Sequence, residues 1–179
     1  MKFAVLTNDL QYAAANKHAE RKKAVDKFLP KQIEFLKKVR KMSVPIIHLQ
    51  LVKPDTEENW HDKQFKRNEP GVKIIKEVFE ETDLIVEKSK DSGFFETELD
   101  DVLKKLGVDT IIITGMQAQI CVQTTAADGF FRGYNIIVPS DVVVSTNEDD
   151  SSRALKWLQK YCAKVDTSDE IIKYIKENL

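Results

Sequence analysis

The 179 residues predict a single three-layer α/β/α domain, Rossmann-like, on a mostly parallel six-stranded sheet. Three observations carry this expectation. Short β-branched runs alternate with helical stretches along the chain, the pattern of a parallel sheet covered on both faces. The run Thr110-Ile111-Ile112-Ile113-Thr114 has the look of a buried strand, and Gly115 breaks it. Polar residues stand just past three of the runs: Asp9, Lys88 and Cys121. In open α/β sheets, ligands bind beyond the carboxyl ends of the strands, where the strand order reverses.

In chain order, Lys2 to Thr7 reads as the first buried strand, with Asn8-Asp9-Leu10-Gln11 at its C-terminal end. His18 to Met42 is a long helical stretch. Its apolar residues Val25, Phe28, Leu29, Ile33, Phe35, Leu36 and Val39 recur mostly at the three/four spacing of one face. Pro30 either kinks this helix or starts a second segment. Ser43 to Leu51 is the second strand, entered at Pro45. Lys53 to Gly71 has no clear period, and connections this long are often lids or binding loops. Val72 to Phe79 is ambiguous. Asp83 to Val86 is the third strand, followed by Glu87-Lys88 and a turn at Ser92-Gly93. Glu96 to Leu106 is a helix that Gly107 stops. The central strand follows, and then a helix from Cys121 to Arg132. Asn135 to Val138 is the fifth strand, Glu148 to Tyr161 a helix, and Val165 lies in a short sixth strand. Ser168 is the expected N-cap of the last helix, whose acidic first turn suits the helix dipole.

Composition excludes several classes. Apolar residues are 42% and charged residues 32%, which is globular rather than disordered. The formal net charge is -1 and the basic residues are dispersed, so no nucleic-acid footprint is expected. No apolar run approaches the roughly 18 residues of a membrane span. The apolar N-terminal run is too short for a signal peptide. A cytoplasmic protein is expected. Cys121 and Cys162 fit a reducing compartment, and neither stands in a CxxC or Cys/His cluster, so no zinc site or other cofactor is expected.

The residues past the strand ends suggest a chemistry. A thiol becomes a good nucleophile as thiolate, which a helix N-terminus and a nearby cation favour. Lys88 is placed to supply the cation. Asp9 is placed to take the thiol proton and later to activate water. The turn before Cys121 can aim backbone N–H groups at a developing oxyanion. Singly, the bland alternatives weigh more: a small buried hydrophobe for Cys121, a turn residue for Asp9, a solvated side chain for Lys88.

Three motifs in order then give a family likeness. They are Asp9-Leu10-Gln11; Lys88-Ser89-Lys90-Asp91-Ser92-Gly93-Phe94-Phe95; and Gly115 to Val122 continuing through Thr125-Ala126-Ala127-Asp128. With these, the chain resembles the isochorismatase-like, or cysteine hydrolase, superfamily over almost its whole length. The resemblance implies a catalytic triad of Asp9, Lys88 and Cys121. It implies a cis peptide between Met116 and Gln117, with the backbone N–H groups of Gln117 and Cys121 as an oxyanion hole. It also implies a homodimer or homotetramer. The activity implied is hydrolysis of a C–N bond in a small amide, imide or carbamoyl substrate through a thioester. A vinyl ether hydrolase with Asp9 as acid, and a non-catalytic binding protein, are the alternatives.

This chain departs from the family pattern at Gln117-Ala118-Gln119, where substrate choice or loss of activity would be written. Gln11, Phe94 and Trp60 are candidate substrate-binding residues. Core packing is the alternative for Phe94 and a loop anchor for Trp60. Metal-binding members of the superfamily carry Asp-x-His after the second strand. Here that place reads His48-x-Gln50, so a packed or hydrogen-bonded His48 is expected and no metal.

Overall fold

The computed structural model describes residues 1–53 and 63–179. Strands β1 (Phe3–Asn8), β2 (Ile46–Leu51), β3 (Leu84–Lys88), β4 (Thr110–Met116), β5 (Asn135–Pro139), β6 (Val143–Val144) and β7 (Lys164–Asp166) form one parallel sheet. The order is β3-β2-β1-β4-β5-β7, with β6 pairing β4 off this path. Successive side chains of a strand point to opposite faces, and here both faces are buried. Phe3 and Val5 of β1 enter one core, while Ala4 and Leu6 enter the other. In β4, Ile112 faces the first core, and Ile111 and Ile113 the second.

Helices α1 (Tyr12–Ala15), α2 (Ala19–Arg40) and α6 (Ser168–Asn178) cover the first face. Helices α3 (Leu99–Leu106), α4 (Gln123–Phe131) and α5 (Glu148–Tyr161) cover the second. The three-layer expectation is met. No helix among the described residues is long and apolar enough to cross a membrane.

The differences from the sequence reading are local. The sheet has seven strands, not six. β5 pairs only Thr110 to Ile112 of β4, so the last residues of β4 would be left as an open edge. Val143-Val144 covers it by pairing with Gly115 and Met116. Pro30 neither ends α2 nor divides it; the helix runs unbroken from Ala19 to Arg40. The N-cap of α6 is Thr167, whose hydroxyl accepts from the Glu170 N–H at 3.3 Å, while Ser168 is already helical. The ambiguous stretch holds two short 3₁₀ turns, Pro70–Val72 and Lys76–Val78, between which Ile74 bridges to Gln11.

One position sets how closely β1 and β4 approach. Gly115 has φ +102°, and a Cβ there would lie 2.3 Å from the Asn8 carbonyl oxygen and 2.6 Å from its nitrogen. Only glycine satisfies both the angle and the space.

Candidate active site

The strand order reverses between β1 and β4, the place where such sheets hold their ligands. Asp9 follows the last residue of β1. It sits in the left-handed region at φ +54°, which Asp tolerates better than most residues. Its N–H donates to the Leu49 carbonyl of β2 at 3.1 Å. Lys88 is the last residue of the edge strand β3, and its long stem lets the ammonium reach across to Asp9. The side chains are 0% and 6% exposed, and Nζ lies 3.1 Å from Asp9 Oδ1. Nζ donates to Asp9 Oδ2 at 3.2 Å, to the Lys90 carbonyl at 3.1 Å and to the Asp91 carbonyl at 3.2 Å. That uses all three ammonium donors. Asp9 Oδ1 is a buried oxygen with no hydrogen bond of its own.

Cys121 lies in a π-helical turn, Ala118–Val122, that joins β4 to α4. Single π turns of this kind are rare and recur at functional sites. The Gln117 carbonyl accepts from the N–H groups of both Ile120 and Val122, at 3.1 Å each. Cys121 is buried, and its Sγ donates to Asp91 Oδ1 at 3.8 Å. Burial and the negative charge of Asp9 push the thiol well above its ordinary value, against the pull of the Lys88 ammonium. Burial works against the Lys88 ammonium too, but Asp9 and Cys121 outweigh it and raise that group. Thiolate favoured by Lys88 and the helix end is the sequence expectation; Lys88 does pull the thiol down, but burial and Asp9 push it up by more.

The turn before Cys121 is locked onto the loop ahead of α5. The Met116–Gln117 peptide is cis. Gln117 Oε1 accepts from the Thr146 N–H at 3.2 Å, and Gln119 Oε1 accepts from the Ser145 hydroxyl at 2.6 Å. Ala118 is fully buried in the second core. Gln117 Nε2 is buried without a hydrogen-bond partner.

The remaining candidates separate. Gln11 is fully buried, and Nε2 donates to the carbonyls of Leu51 and Val72 at 2.9 and 2.7 Å, while Oε1 accepts from the Leu51 N–H at 2.8 Å. Its amide is a clamp between backbone segments. Phe94 lies in the second core, stacked on Tyr134 with ring centroids 5.9 Å apart and covered by Arg132. Trp60 and His61 lie outside the described residues. His48 is fully buried, with Nδ1 2.7 Å from the Thr7 hydroxyl and Nε2 3.1 Å from Asp83 Oδ2. Both ring nitrogens are thus engaged.

Sequence reasoning missed Asp91 and the role of Thr125. Asp91 stands in the Lys88 motif, and its contact with Cys121 follows from the loop's path. Thr125 Oγ1 accepts from the Gly93 N–H at 2.9 Å and lies 3.3 Å from Asn8 Oδ1. It ties the Lys88 loop, α4 and β1 together behind the three reactive groups.

A doubly wound parallel sheet, with a buried cysteine and a buried lysine–aspartate pair at its switch point, defines a cysteine hydrolase. The isochorismatase domain matches residues 3–170, and the chain belongs to that family of hydrolases. It is 31% identical over 155 residues to the isochorismatase family protein YaaI of Bacillus subtilis, covering 84% of each chain. Over 72 residues it is 36% identical to the ureidoacrylate amidohydrolase RutB of Yersinia enterocolitica, covering 40% of this chain and 31% of the relative. Among solved structures, it superposes on N-carbamoylsarcosine amidase from Thermoplasma acidophilum with a TM-score of 0.81 at 27% identity. That match covers 94% of this chain and 98% of the other.

Proposed function

We propose that the protein hydrolyses a C–N bond of a small amide, imide or carbamoyl compound, with Cys121 as nucleophile and a thioester intermediate. The observation that carries this reading is the buried Lys88–Asp9 pair beside Cys121 at the strand-order switch. Two relatives whose names specify ureidoacrylate and N-carbamoylsarcosine support the substrate class.

Burial and Asp9 push the Cys121 thiol up, which couples attack to proton transfer. Sγ attacks the carbonyl carbon as its proton passes to Asp9, whose Oδ1 accepts no other hydrogen bond. The backbone N–H groups of Gln117 and Cys121 receive the oxyanion, an assignment that rests on the family resemblance. Such donors typically contribute about a hundred- to a thousand-fold in rate. The tetrahedral adduct collapses to a thioester as Asp9 returns the proton to the leaving nitrogen. Water then attacks the thioester while Asp9 takes its proton, and the acid leaves with the thiol restored. Lys88 holds the Asp9 carboxyl in place throughout.

The test is turnover of a panel of small amides, ureas and imides by wild type, Cys121→Ala and Asp9→Asn. Turnover by the wild type, lost by at least about a thousandfold in either variant, is expected. Turnover retained by Cys121→Ala would overturn the thioester route.

A further inference from the structure

Arg21, in the first turn of α2, has no part in the chemistry above. Its Nε donates to the Thr146 hydroxyl at 3.0 Å. The Thr146 N–H is in turn held by Gln117 Oε1. This chain of contacts carries the start of α2 onto the turn before Cys121, the segment in which this sequence departs from its family's pattern. Among the described residues, the two terminal nitrogens of Arg21 make no hydrogen bond or ion pair. A second donor without a partner, the buried Nε2, belongs to Gln117, whose Oε1 holds the same Thr146. The side chain is half-buried. Burial disfavours its charge, and Cys121 and Asp9 are near enough to act on it in the opposite sense.

A planar guanidinium and an amide N–H₂ anchored on one threonine present donors only. An N–H left unpaired in a buried setting is costly unless a ligand completes it. The geometry points to a carboxylate-binding subsite formed by Arg21 and Gln117, so that the enzyme selects amides or carbamoyl compounds that bear a carboxylate. Guanidinium and carboxylate match as a fork with two parallel hydrogen bonds. The Arg21 N–H donates to His18 Nδ1 at 3.3 Å, which fixes the residue within the first turn, where the helix field favours an anion as well.

The inference rests on the amidase reading for its substrate, but its test does not. Cys121 is alkylated with iodoacetate, which carries a carboxylate, and with iodoacetamide, which does not. The ratio of the two rates is measured for wild type, Arg21→Met and Arg21→Lys, each checked for folding by thermal unfolding. The ratio is expected to fall about tenfold or more in Arg21→Met and by less in Arg21→Lys, which keeps the charge but loses the fork. A ratio unchanged within about twofold in a folded Arg21→Met protein would overturn the subsite, whether or not both rates fall together. A wild type that shows the ratio but hydrolyses no amide removes the amidase reading and leaves the subsite standing. Hydrolysis with an unaltered ratio does the reverse.

Discussion

Cys121 is the residue on which burial and the proposed catalysis pull in opposite directions. A thiol raised above its ordinary value of 9.0 keeps its proton through neutral and mildly alkaline pH. Ultraviolet titration of thiolate absorbance is therefore expected to show no Cys121 signal below pH 9, by difference against Cys121→Ala. A thiolate step near neutral pH would show that the proton leaves before attack. The Lys88–Asp9 pair makes a second case. Removing one partner leaves a buried charge, which typically costs about 3–5 kcal/mol. Lys88→Met and Asp9→Asn are each expected to be destabilised, and the double variant less than the sum, in a denaturant double-mutant cycle. The three reactive residues were legible because each stands at or past the C-terminal end of a strand, and strands can be read from β-branched runs. The fates of Gln11 and Phe94 were not. Gln11 is satisfied by the backbones of Leu51 and Val72, distant in sequence, and no local pattern shows that pairing.

Between elements, polar contacts tie the edge of the sheet to the helix that covers it. The edge strand β3 is tied to α2 through Asp83, which takes hydrogen bonds from Arg40 at 3.2 and 2.5 Å and contacts His48. Burial works against the Asp83 charge, but His48, Arg40 and the Glu80 N–H outweigh it and hold the carboxyl at about 2. A depressed carboxyl stabilises the fold above its unfolded value of 3.8, and that stability is lost as the pH falls toward 2. Asp83→Asn is expected to flatten the acid limb of a stability-against-pH curve between those values. It should also lower stability at neutral pH by roughly 2 kcal/mol, since Arg40 loses its buried carboxylate partner and keeps only Glu80 and the Val78 carbonyl. Helices and strands were read correctly in kind because their periods are long and regular. The π turn around Cys121 and the docking of Gln117 and Gln119 onto Ser145-Thr146 were not, because they depend on where the loop before α5 returns.

Across the whole molecule, the reversal of strand order brings Asp9, Lys88 and Cys121 together from segments far apart in sequence. The sequence showed the alternation of elements, and the family resemblance supplied the sheet. It did not show that β5 would fall short of the end of β4, so the covering pair Val143-Val144 went unseen. Gly115, at that same end, holds β1 and β4 in contact. Gly115→Ala is expected to cost more than about 3 kcal/mol, from a strained angle and a clash with main-chain atoms that cannot swing aside. Thermal unfolding of the variant measures it. In a library randomised from 115 to 119 and selected for new amides, the first position would return glycine in every survivor. Diversity would begin at 117, so the route by which this enzyme changes diet starts two residues past a point where it can never change.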